Sequence, residues 1–410
     1  MEAGGKMMGM QLSWIRNPQV SAMLLLAAAI LGLVIANTGL GPGLDALKHA
    51  HLPFTVFGLD LSAAHWVTDG LLVVFFFVVA VELRYEFTQG DLNSVSKAAV
   101  PTIAALGGVA LPAIIYFNVA GADGAQGWPI PTATDIAFAL GVLALFGRRL
   151  PTTVRALLLA LAVIDDLIGI FFIAVFFTES VSLPHLGLAA VGIVAFWMLG
   201  RIYRGKRGSW PLRIALLAVA LITWWLVAMS GIHATIAGVL LGLVLSPAPA
   251  ESARERLEPF TNGIVLPLFA FTSASVIIPQ VPLSELSPVF WAIVIALPVG
   301  KLFGVTIAGL VGQAALRVPK PDRMKLSELI GIALLAGIGF TVALLMNELA
   351  HRSAEDLIVE GTLGVLAGSL ISAVLGAVYI ALLSRRYPAV DSTERTARDS
   401  EEYLRRTDSE

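Results

Sequence analysis

The chain has 410 residues, 57% of them hydrophobic and only 14% charged, with a formal net charge of −2. A soluble domain carries about 25% charged residues, so this composition excludes an ordinary soluble protein; the net charge itself says nothing about a nucleic-acid partner, and none is expected. There is no cysteine, hence no disulfide and no thiolate metal site.

Apolar runs long enough to cross a bilayer, about 20 residues each, recur along the chain. The reading is an all-α polytopic membrane protein with about twelve transmembrane helices, at 19–38, 64–86, 98–119, 125–146, 154–177, 184–201, 211–229, 231–246, 260–279, 289–313, 327–348 and 356–384. Residues 1–18 form a cytoplasmic N-terminal segment. The first run is long for a signal-peptide core and lacks a clear cleavage site, so it is read as a span. Between the first two spans, Phe54-Thr55-Val56-Phe57-Gly58-Leu59-Asp60-Leu61 suits a short outer hairpin. Residues 19–384 make one membrane domain. Residues 385–410 are rich in charge and poor in apolar groups, the composition of a disordered tail.

The fourth span holds Pro129, Pro131, Thr132 and Thr134 before Asp135. Prolines and β-branched residues discourage a continuous helix there, and an apolar half-helix follows to about Phe146. Unwound backbone at membrane depth is tolerated only inside protein or beside a water-filled cavity. Asp135 is placed to offset the positive end of a half-helix. The fifth span carries Asp165 and Asp166 at its midpoint. A charge at that depth costs roughly 2.5–3.5 kcal/mol on insertion scales, and such groups normally handle ions or protons. His233 opens the short eighth span, where a helix-end polar contact is the default reading and a pH response the second. Lys301 lies mid-way in the tenth span, too deep to snorkel, and needs a carboxylate or helix-end carbonyls as partner. The eleventh span is weakened at Gly337 and Gly339.

Spans three to five and ten to twelve each hold an interrupted middle helix. An odd number of spans per unit gives inverted repeats, with two crossed discontinuous helices and an ion site near the midplane. One broken span alone reads as structural; two in corresponding places point to transport. With the N-terminus in the cytoplasm, nearly all of the 27 Lys and Arg fall on that side. Only Lys48 and Arg352 lie outside, and Lys301 is within a span. This follows the positive-inside rule with both termini cytoplasmic.

Five motifs together carry a family resemblance. They are Thr132-Ala133-Thr134-Asp135-Ile136-Ala137-Phe138-Ala139-Leu140-Gly141, Ala162-Val163-Ile164-Asp165-Asp166-Leu167, Gly231-Ile232-His233-Ala234-Thr235-Ile236-Ala237-Gly238, Leu266-Pro267-Leu268-Phe269-Ala270-Phe271 and Gly337-Ile338-Gly339-Phe340-Thr341. In this order, and over roughly residues 17 to 384, the chain resembles the NhaA-type sodium/proton antiporters, a family built on inverted repeats. The resemblance implies an electrogenic secondary antiporter, not an enzyme, in the bacterial inner membrane. It would export Na+ or Li+ against two protons, with no cofactor. Asp166 is then the principal cation and proton carboxylate, and Asp165 pairs with Lys301. Na+ sits at Asp165, Asp166 and Thr134. Thr134 and Asp135, with Gly337 and Gly339, form the broken-helix crossing. Glu82, His233 and Glu258 match positions linked to a cytoplasmic pH response. Residues 44–62 match a homodimer contact, and membrane lipid is the other partner. Tyr85 stands where the family pattern has a basic residue, and Pro259-Phe260-Thr261-Asn262 lacks its histidine.

Two other classes compete. A sodium-coupled organic-anion symporter of similar fold would need a larger solute pocket and would show no proton-coupled sodium flux. A non-transporting membrane sensor would use residues 385–410 as a binding module.

Overall fold

The computed structural model describes residues 18–387 except 52–58, 60, 90–93, 123, 177–180, 204–209, 279–281 and 321–322. The N-terminal segment, most of the outer hairpin and nearly all of the tail therefore lie outside the described residues. His51 and Ser62 form an antiparallel bridge.

Helices dominate because a chain in lipid must satisfy its backbone groups within each segment. In chain order they are α1 (Pro18–Ala36), the short α2 (Gly41–His49), α3 (Ala63–Thr88), α4 (Val95–Ala120), α5 (Ile136–Phe146), α6 (Thr152–Phe176), α7 (Leu183–Ile202), α8 (Trp210–Met229) and α9 (Thr235–Val244). There follow α10 (Pro247–Phe260), α11 (Leu266–Ala274), α12 (Pro288–Ala315), α13 (Leu326–Ala336), α14 (Phe340–Ala350) and α15 (Glu355–Ser384). Among the described residues, eight segments are long and apolar enough to cross a membrane. One of these is Ala125–Phe146, which ends in α5, and the bent pair α13–α14 makes a ninth. The other three expected spans correspond to α6, to α9 with only 10 residues, and to α11, preceded by the polar α10.

Both interrupted spans are broken where the sequence places Pro, Thr and Gly. In the first, two 3-10 turns, Ala125–Gly127 and Ile130–Thr132, lead through extended residues to α5. In the second, α13 ends at Gly337 and α14 starts after Gly339, with a bend of 48°. α4 and α12 flank the crossing and pack closely on one another. Gly107 and Gly304 meet there, and a Cβ on either would collide with the other's carbonyl oxygen. A π-helical turn, Ala296–Gly300, lies within α12 just before Lys301. Pro298 lacks the N–H that an α-helix needs at that point. Around this unit α3 packs on α9, α1 on α11 and α7 on α8. The largest apolar core surrounds the crossing, with Phe76, Ile130, Leu297, Ile338, Phe340 and Met346 buried in it.

Candidate functional site

The two breaks meet. The Asp135 N–H donates to Ile338 O at 2.6 Å, and the Thr134 hydroxyl lies 2.8 Å from Ala336 O. Four limb ends therefore converge; three receive the charge their dipole favours and the fourth a neutral hydroxyl. At the N-terminal ends sits Asp135. Its Oδ1 accepts from Phe138 N at 2.8 Å, capping α5. Its Oδ2 accepts from Thr341 N at 3.2 Å and Thr341 Oγ1 at 2.8 Å, at the start of α14. One carboxylate thus serves two half-helices. At the C-terminal ends, Thr132 O accepts from the Lys301 ammonium and Ala336 O from Thr134.

Lys301 is fully buried and its three donors all have partners. They reach Thr132 O, Thr134 Oγ1 at 3.1 Å and Asp165 Oδ2 at 2.6 Å. Gly108 on α4 lets α12 approach beside the lysine: a Cβ there would lie 2.8 Å from Val305 Cγ2. Thr134 Oγ1 also approaches Asp165 Oδ2 at 2.9 Å. Removing one member of a buried ion pair costs about 3–5 kcal/mol, because the other charge is stranded. Asp165 Oδ1 is buried and has no hydrogen-bond partner among the described residues. Asp166 follows on α6, and its side chain lies outside those described.

Of the sequence candidates, Thr134, Asp135, Asp165, Lys301, Gly337 and Gly339 all lie at or beside the crossing. Glu82 and Glu258 line one cavity of about 130 Å³ with Thr261 and Asn262, and Thr134, Asp135 and Thr341 of the crossing line the same cavity. His233 is a correction. It does not join Glu82 and Glu258 but faces Asp69, with Nε2 3.4 Å from the Asp69 carboxylate and Nδ1 3.0 Å from Thr235 Oγ1. Asp69 and Glu82 lie about 20 Å apart along α3 at ~1.5 Å per residue. The reason is local: the Ser230–Ala234 turn lies beside the start of α3, where His65, Asp69, His233, Glu348 and Arg352 line a separate cavity. Thr341 was missed as a site residue. Its signal was position, a threonine just after the second break as Thr134 stands just before Asp135.

Comparison with known proteins identifies the chain. The family model described as Na+/H+ antiporter 1 matches residues 13–380. The chain belongs to the Na+/H+ antiporter 1 family. It is 54% identical over 380 residues to Na(+)/H(+) antiporter NhaA 2 of Clavibacter michiganensis, covering 91% of this chain and 92% of that protein. It is 43% identical over 369 residues to Na(+)/H(+) antiporter NhaA of Tropheryma whipplei, covering 90% and 94%. Na(+)/H(+) antiporter NhaA 3 of Streptomyces coelicolor is 41% identical over 393 residues, covering 93% and 82%. As a member of this antiporter family the chain is a multi-pass membrane protein and a secondary transporter, not an enzyme.

Proposed function

We propose that this protein exchanges Na+ or Li+ for protons across a bacterial plasma membrane, electrogenically and by alternating access at the helix crossing. The observation that carries this reading is the buried Lys301–Asp165–Thr134 cluster, in which Asp165 Oδ1 has no partner among the described residues. A hard cation takes oxygen ligands from carboxylates, carbonyls, hydroxyls and water. Asp165, Asp166 and Thr134 are the donors assigned to it here.

The chemistry is competition. An arriving Na+ contests Asp165 with the Lys301 ammonium. The ammonium then gives up a proton and becomes a neutral amine, and the Asp166 carboxyl gives up another. Two protons leave as one Na+ binds, so each cycle moves one net charge. The adjacent carboxylates titrate as a coupled set. Asp135 neutralises the two half-helix ends and keeps the broken backbone in place without itself carrying cargo. The small cavity beside the crossing favours an inorganic cation: about 130 Å³ is below the ~300–1,000 Å³ usual for organic ligands.

Glu82 and Glu258, which line that cavity, are assigned a pH response on the cytoplasmic side, with both chain termini on the same side. Membrane lipid surrounds the helices, and a second copy docks through residues 44–62. The decisive experiment is cation-dependent proton movement in proteoliposomes. Na+ or Li+ should drive it, and its absence at full protein incorporation would refute the reading.

A further inference from the structure

The last helix reaches both broken spans at their Glu82 side. Ile380 of α15 is fully buried between them. A Cβ on Gly331 of α13 would stand 2.7 Å from Ile380 Cδ1, and one on Gly147, the residue after α5, would stand 3.2 Å from its Cγ2. The absence of a side chain at Gly331 is what lets Ile380 seat, and Gly147 keeps the second contact close. One turn later, Ser384 Oγ accepts from Arg149 N at 3.3 Å, in the turn that leaves α5.

The chain then leaves α15, and Tyr387 folds onto the start of α13. Its hydroxyl donates to Glu328 Oε1, and Lys325 Nζ stands 5.1 Å over its ring. Glu328 is buried, and its second oxygen accepts from Lys325 N at 2.8 Å. One carboxylate thus ties the first turn of α13 to itself and to the end of α15. Burial and the Glu328 carboxylate push the Tyr387 phenol up to about 12, so it remains a donor throughout neutral and alkaline assays.

α13 is the limb whose last carbonyl, Ala336 O, accepts from Thr134 at the ion cluster. The helix that runs from Glu328 to Ala336 carries any displacement at Glu328 about 12 Å to that carbonyl. We propose that Tyr387 is a positioning residue for ion exchange: with Ile380 and Ser384 it braces the limbs of both broken helices as one unit and holds Ala336 O in register with Thr134. The exchange part rests on the function proposed above; the brace does not. Nothing in the charge pattern of the spans marks Tyr387.

The test is Tyr387→Phe, which removes one hydroxyl and keeps the ring, read in two ways. Deuterium uptake should rise about tenfold for the amides of residues 326–336, with residues 210–229 unchanged as an internal control. In proteoliposomes the KM for Na+ should rise about threefold to tenfold with the maximal rate within about twofold. In a Glu328→Ala background the same substitution should add nothing further. Unchanged deuterium uptake would overturn the brace. Faster uptake with an unchanged KM would overturn the positioning role, leaving Tyr387 as a stabilising contact only. Full additivity with Glu328→Ala would overturn the assignment of Glu328 as its partner. A wild-type protein that moves no protons in response to Na+ would sink the ion-exchange reading, while the deuterium measurement would still decide the brace.

Discussion

Asp135→Asn isolates charge from shape at the crossing. Asparagine keeps the side-chain volume and remains a good N-cap residue, so Phe138 N keeps an acceptor. The negative charge shared by α5 and α14 is lost, and the amide nitrogen cannot accept from Thr341 N and Oγ1, now 3.2 and 2.8 Å from Oδ2. Helix-end charge contacts contribute ~0.3–1 kcal/mol at exposed sites and up to ~2 in partly buried ones. Taking about 1 kcal/mol at each of the two ends gives about 2 kcal/mol, a change of about 30-fold if it appears wholly in affinity. Thr341→Val removes only the hydroxyl and should change affinity by about fivefold. The assay is proton movement in proteoliposomes as a function of Na+ concentration, at equal incorporation. Asp135→Asn with wild-type KM and maximal rate would refute the claim that one carboxylate balances both half-helices.

Three further outcomes are expected. Asp165→Asn should lose most exchange and should also lower thermal stability, because it strands the buried Lys301 ammonium at about 3–5 kcal/mol; equal stability in a melting assay would contradict the ion pair. Lys301→Gln, once folded, should give lost or electroneutral exchange, and exchange that still responds to an imposed membrane potential would exclude Lys301 as a required proton carrier. Glu82→Gln and Glu258→Gln should each move the pH profile of activity, and their effects should be non-additive because they share one cavity, whereas His233→Gln should be additive with either; coupling between His233 and Glu82 would contradict their placement at opposite ends of α3.

The crossing was legible in the sequence for a specific physical reason. Charge in an apolar run is costly enough to stand out, which picks Asp165, Asp166 and Lys301, and Pro, Thr and Gly interrupt helices by local sterics, which marks both breaks. The partners of these residues were less legible. That Asp135 serves a second half-helix through Thr341 depends on two segments about 200 residues apart meeting, and no local periodicity encodes this. His233 was grouped with Glu82 and Glu258 through resemblance, but the geometry of the turn before α9 puts it at the other end of α3. The short α9 and α11 also fall below the length of an ordinary span, because the Ser230–Ala234 turn before α9 and a π-helical turn, Thr261–Val265, before α11 take up residues that hydropathy alone assigns to the span.

The central claim is that cations and protons compete for the aspartates beside Lys301. Its most direct test is Na+-driven proton movement in proteoliposomes for the wild type and for Asp166→Asn at equal protein density. The account predicts robust movement in the wild type and none in the variant, since the amide keeps the volume but is neither titratable nor anionic. Near wild-type movement in Asp166→Asn would contradict it.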